Sequence, residues 1–234
     1  RCKTAGEKIY KTVDNVEGVL LMKLRTDSSF ESQDMEDPFG ANGNSWDEDY
    51  IASFLAGRRP SGQIYWGSSN SAHEIVKPGY AYVEAVDPKD KKRYRYTGAF
   101  KIVATEDIRE PQVREKLRLD PNYDPNTYQF VVDKVPATGP EPRYGVIFED
   151  LTTPEERAQW VAGGSFKVID LKTREVLAER IGYFMDRGLG STATARTPWR
   201  HAVRWSCPDF YVENKKKINW DREFSEQVLK IKGN

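Results

Sequence analysis

The stretch that most constrains the fold runs from Gly163 to Trp205, GGSFKVIDLKTREVLAERIGYFMDRGLGSTATARTPWRHAVRW. Phe166 to Leu171 and Glu175 to Met185 are written in the β-branched, aliphatic and aromatic residues that strands favour, and Lys172-Thr173-Arg174 between them has the length of a hairpin loop. On the return segment Leu177, Ile181, Tyr183 and Met185 share one parity, while Val176, Ala178 and Phe184 take the other. Both faces therefore carry apolar side chains, which suits a strand covered on two sides better than one with a wet face. A Gly/Ser/Thr loop and an aromatic, basic run then lead to Cys207.

The rest of the chain repeats this vocabulary. Tyr80 to Val86 and Lys92 to Val103 read as a second hairpin around Asp87-Pro88-Lys89-Asp90. Its return strand alternates cleanly, with Tyr94, Tyr96, Phe100 and Ile102 against Arg93, Arg95, Thr97 and Lys101, so one face is expected in the core and the other in water or against a partner. Lys8 to Val13 and Gly18 to Arg25 read as a hairpin at the start of the chain, and Tyr128 to Val135 and Tyr144 to Glu149 as further strands. Ser45 and Glu48 form a capping-box signature ahead of Tyr50, Ile51, Phe54 and Leu55 at helical spacing, which predicts a helix over 46–56 stopped by Gly57. A short helix is expected from Glu110-Pro111 to Leu119. A third starts at Thr153-Pro154-Glu155-Glu156, with Pro in its first turn, and reaches about Ala162. Trp220, Phe224 and Val228 at four-residue spacing predict a terminal amphipathic helix. Together these elements specify an α+β fold, mainly antiparallel β in a hairpin-rich sheet or sandwich, with about three short helices, in a single domain whose one candidate boundary is the Pro/Gly-rich stretch 136–142.

Charge and cysteine content narrow the function classes. Lys plus Arg and Asp plus Glu number 36 each, so no global field would draw nucleic acid or an anionic membrane. No apolar run approaches the roughly 20 residues of a membrane-spanning helix. Charge is instead segregated: Asp27 to Gly57 holds eight acidic residues and no basic one, whereas Arg196 to the end holds nine basic and five acidic. The two cysteines, Cys2 and Cys207, lie near opposite ends and are expected to pair, which in the loop-entropy model contributes up to about 5 kcal/mol. A disulfide, and a chain that opens on Arg1 as removal of a signal peptide would leave it, point to a periplasmic or secreted protein.

Catalytic signatures are weak throughout. Asp120, Asn122, Asp124 and Asn126 alternate as in a calcium loop, but Pro125 and Val131 stand where that loop needs positive φ and a bidentate Glu, so the segment reads as turns. His73 and His201 have no cysteine or histidine partners at zinc spacing, and Ser69, Ser71 and Ser191 lack a nucleophile elbow. Gly188-Leu-Gly190-Ser191-Thr192 lacks the lysine of a phosphate loop. No metal and no cofactor is therefore expected. The reading left is a non-catalytic exported binding protein, of inhibitor or immunity type, that meets a partner protein through Asp34, Glu36, Asp37, Asp47 and Asp49 or through Arg196, Trp199, Arg200 and Arg204. The alternative is a cell-envelope hydrolase using carboxylates or a His-assisted serine.

Overall fold

The computed structural model describes residues 1–25, 47–62, 64–65, 67–69, 75–195, 199, 202, 205–208 and 220–233. Among the described residues the strands are β1 Gly6–Ile9, β2 Val13–Val16, β3 Gly18–Leu21, β4 Ser68–Ser69, β5 Tyr82–Val86, β6 Arg93–Thr105, β7 Asn126–Pro136, β8 Tyr144–Asp150, β9 Val161–Asp170, β10 Glu175–Met185, β11 Ser206–Cys207 and β12 Leu229–Ile231. The helices are α1 Asp47–Leu55, α2 Pro111–Leu119, α3 Pro154–Ala158 and α4 Trp220–Val228. The fold is α+β, built on a large, mostly antiparallel sheet.

The sheet order is β1-β10-β9-β8-β3-β5-β6-β7-β4, with β11 also on β10. At its centre β3 runs parallel to both β5 and β8, and all four of its residues are buried. That corrects the hairpin expected at the start of the chain. β1 leaves to pair with β10 and β2 pairs in parallel with β12, so residues 8–25 make no hairpin. Short apolar strands in sequence do not carry their partners' identity, and Gly18-Val19-Leu20-Leu21 is the continuous apolar run of a strand covered on both faces. The link from β3 to β5 passes through α1, as a parallel connection requires.

The hairpins β9–β10 and β5–β6 form as the alternation indicates, and β6 also pairs antiparallel with β7 across a connection that carries α2. Tyr96 is buried and Tyr94 and Phe130 pack on the core, yet Ile102, on the same parity, is 57% exposed, in the last part of β6 where the residues of both parities are exposed. One face of the sheet carries the core. There α1 contributes Tyr50, Phe54 and Leu55 and α4 contributes Phe224 and Val228 against Val83, Ala85, Val146, Phe148, Phe166 and Val168. On the other face cross-strand ion pairs dominate: Glu84 receives Arg95 at 2.8 Å and Arg93 at 3.2 Å, Lys101 meets Asp133, and Lys167 lies between Glu149 and Glu179.

The third helix ends at Ala158 rather than at Ala162. Thr153 caps it with a reciprocal Glu156 box, but Trp160 takes φ 57°, and β9 starts at Val161. Asp120 and Asp124 accept from the backbone of Asn122 and Asn126 at 2.9 Å, so the calcium-like run consists of Asx turns. The expected cysteine pair is present: Cys2 and Cys207 are bonded, with Cα atoms 5.4 Å apart.

Gly79 fits where no side chain can. A Cβ there would collide with the carbonyl oxygens of Leu55 and Ala56 at the end of α1. Gly79→Ala is expected to lower the unfolding free energy by about 1–3 kcal/mol, read as a lower urea midpoint at unchanged slope.

Candidate functional site

At one end of the sheet lies a cleft of about 60 Å³, lined by Lys23, Arg25, Arg157 and Arg180, by Glu149, Asp150 and Asp221, and by Phe148, Ser165, Phe166 and three glycines. Each charge arrives for a local reason. Lys23 and Arg25 follow the end of β3, Glu149 and Asp150 close β8, and Arg157 lies one residue before the end of the one-turn helix α3. Arg180 lies on the core-facing parity of β10, and Asp221 in the first turn of α4 lies three residues before Phe224 and seven before Val228, on the apolar stripe.

Asp221 is the hub. Its Oδ2 accepts from Arg25 Nε at 3.2 Å, from Arg25 Nη2 at 2.9 Å and from the Tyr50 hydroxyl at 3.2 Å, and its Oδ1 accepts from Arg180 Nη2 at 2.6 Å. Asp221 is 0% exposed, Arg25 3% and Arg180 8%. Burial by itself would raise the Asp221 carboxyl, but the Arg25 and Arg180 guanidinium charges, with the Arg25 and Tyr50 hydrogen bonds, overcome it and hold the group below the ordinary aspartate value. Phe148 backs the cluster, with the Arg25 guanidinium 4.0 Å and the Lys23 ammonium 4.5 Å from its ring centroid.

The rim is also paired. Arg157 bonds Asp150 and donates to the Thr152 hydroxyl at 2.9 Å, and Lys167 reaches Glu149 at 2.6 Å. The Lys167 hydrogen bond is the main reason that Glu149 is held below its ordinary value. Asp221 and Glu149 are thus stabilised as carboxylates and are poorly suited to donate a proton near neutral pH. The cleft is far smaller than the roughly 300–1,000 Å³ of a typical small-molecule pocket. Its chemistry is charge pairing at the scale of one side chain.

The residues proposed from sequence fall unevenly around it. Asp34, Glu36, Asp37, Arg196, Arg200 and Arg204 lie outside the described residues, as do His73 and His201, and Asp47 and Asp49 belong to the first turn of α1. Trp199 needs correcting as a contact residue. It is 1% exposed, packed on Trp160 with ring centroids 5.0 Å apart and on Phe184 at 6.0 Å, because a large ring can fill the gap beside Ala162 and Ala202. Arg157 spans the two places, lining the cleft while its guanidinium sits 5.5 Å from the Trp199 ring. Sequence reasoning missed Arg25, Arg180 and Asp221. For Arg180 and Asp221 the signal was present as charges at positions whose periodicity calls for apolar residues, whereas Arg25 lies beyond the end of β3 and carried none. Comparison of the chain with protein-family models, with curated proteins and with solved structures returns no match.

Proposed function

We propose that this protein is an exported, non-catalytic binding protein that engages another protein through a charged surface around the mouth of the cleft. The observation that carries this reading is the Arg25–Asp221–Arg180 cluster, which ties Arg25, two residues ahead of the acidic stretch, to the first turn of α4 at one point of the fold. The acidic stretch resumes in the first turn of α1, whose Tyr50 donates to the same carboxylate. A rigid scaffold with charge fixed at one point suits electrostatic recognition, which sets encounter rate and specificity more than raw affinity. The disulfide favours an oxidising compartment, in keeping with a periplasmic or secreted protein. An inhibitor or immunity-type role fits such a surface.

The test is affinity capture from a cell-envelope extract at low and high salt, repeated with Asp47→Lys/Asp49→Lys. Lysine in a first helical turn also opposes the helix dipole, so Asp47→Asn/Asp49→Asn serves as the control for helix stability. The wild type is expected to retain a stoichiometric protein that high salt releases, and charge reversal should slow association by about tenfold or more with little change in dissociation. Retention unaffected by the reversal removes α1 from the interface. If no protein is retained at any salt concentration, the binding reading fails.

A further inference from the structure

Residues 1–12 cross the outer edge of β10, and none of them is buried. β1 pairs there with Ala178 to Ile181, and the Tyr10 and Lys11 amides donate to the Leu177 carbonyl at 2.9 and 3.1 Å. Immediately beyond, β11 pairs with Tyr183 and Phe184 on the same edge. Two short pieces from opposite ends of the chain therefore lie end to end along one strand, and the Cys2–Cys207 bond sits at their junction. Among the described residues the other side-chain ties are Arg1 with Glu156, Lys11 with Glu175 and the Arg1 guanidinium 5.8 Å from the Tyr183 ring, and solvent-accessible pairs of this kind contribute little.

A strand that buries no side chain gains little beyond backbone hydrogen bonds, and these are offset by the entropy of ordering it. We infer that the disulfide, rather than packing, holds residues 1–12 on the sheet, so that they form a strap released by reduction while the sheet beneath stays folded. The reductant is a dithiol. Its thiolate attacks one sulfur of the pair, the second thiol closes the reductant to a cyclic disulfide, and Cys2 and Cys207 leave as two thiols carrying the two electrons and two protons. Cys2 is exposed, so the bond is open to attack. Release would bare the β10 edge from Ala178 to Ile181, a ready template for pairing with another extended segment.

The experiment is residue-resolved amide hydrogen exchange on the full chain, oxidised, fully reduced with a dithiol, and as Cys2→Ser/Cys207→Ser. Reduction and the double variant should each lower protection of the amides of residues 6–11 by about tenfold or more, and leave β8 and β9 unchanged. Protection of 6–11 that survives in both reduced forms overturns the inference, because the strand then holds by itself. Loss of protection in β8 and β9 together with 6–11 overturns it equally, because the bond then supports the whole fold.

Discussion

Asp221→Asn is expected to lose about 3–5 kcal/mol of stability at neutral pH, because it leaves the Arg25 and Arg180 guanidinium groups buried around a neutral amide. Loss of a buried counter-ion exceeds the loss of a hydrogen bond, since the two guanidinium groups keep their desolvation cost while losing the attraction of the Asp221 carboxylate. The pH dependence follows from the depressed Asp221 carboxyl. A group whose folded pKa lies below its unfolded value contributes fully above the unfolded value, about 3.9 for aspartate, and loses that contribution as pH falls toward the folded one. The stability gap between wild type and Asp221→Asn should therefore be constant from pH 5 to 7 and narrow below about pH 4, by about 1.4 kcal/mol per pH unit between the two pKa values. Urea titrations across this range check it. A gap below 1 kcal/mol at pH 7, or one that does not change with acidity, would mean that the carboxylate is not the counter-ion of this cluster.

Trp199→Ala is expected to cost about 3–5 kcal/mol, the range for removing a fully buried large aromatic. The ring bridges Trp160 and Phe184 under the Arg157 guanidinium, so its loss leaves a cavity beside the cleft that Ala162 and Ala202 cannot fill. Trp199→Phe keeps part of the packing and should cost less. A residue used mainly for partner contact would behave the other way, weakening association with the denaturation midpoint unchanged. Denaturant curves of the two variants, with the near-ultraviolet dichroism of the Trp pair, separate these outcomes.

Legibility of the fold varied with the range of the interaction concerned. The hairpins of β5–β6 and β9–β10 were visible because their partners are adjacent in sequence and their alternation extends over many residues. β1, β2 and β3 also read as strands, but their neighbours lie across the chain at Ala178 to Ile181, Leu229 to Ile231 and Tyr82 to Ala85. No local turn chemistry encodes that choice. The same limit applied to the site. Asp221 stands on the apolar stripe of α4 and Arg180 on the core parity of β10, two conflicts between charge and period. Each could be seen alone, but nothing local showed that one answers the other.

What the sequence by itself determined is the set of elements and one cross-link. Periodicity specified α1, α2, α4 and the long strands, and two cysteines near opposite ends left a single intramolecular pairing. Tertiary structure decided which strand became the parallel centre of the sheet, that Trp199 is core, and that Arg25, Arg180 and Asp221 form one buried cluster. The physical reason is that periodicity reports which side of an element is dry, whereas pairing of strands and of buried charges depends on distances between residues as far apart in the chain as Val13 and Leu229 or Arg25 and Asp221, which only the packed chain establishes.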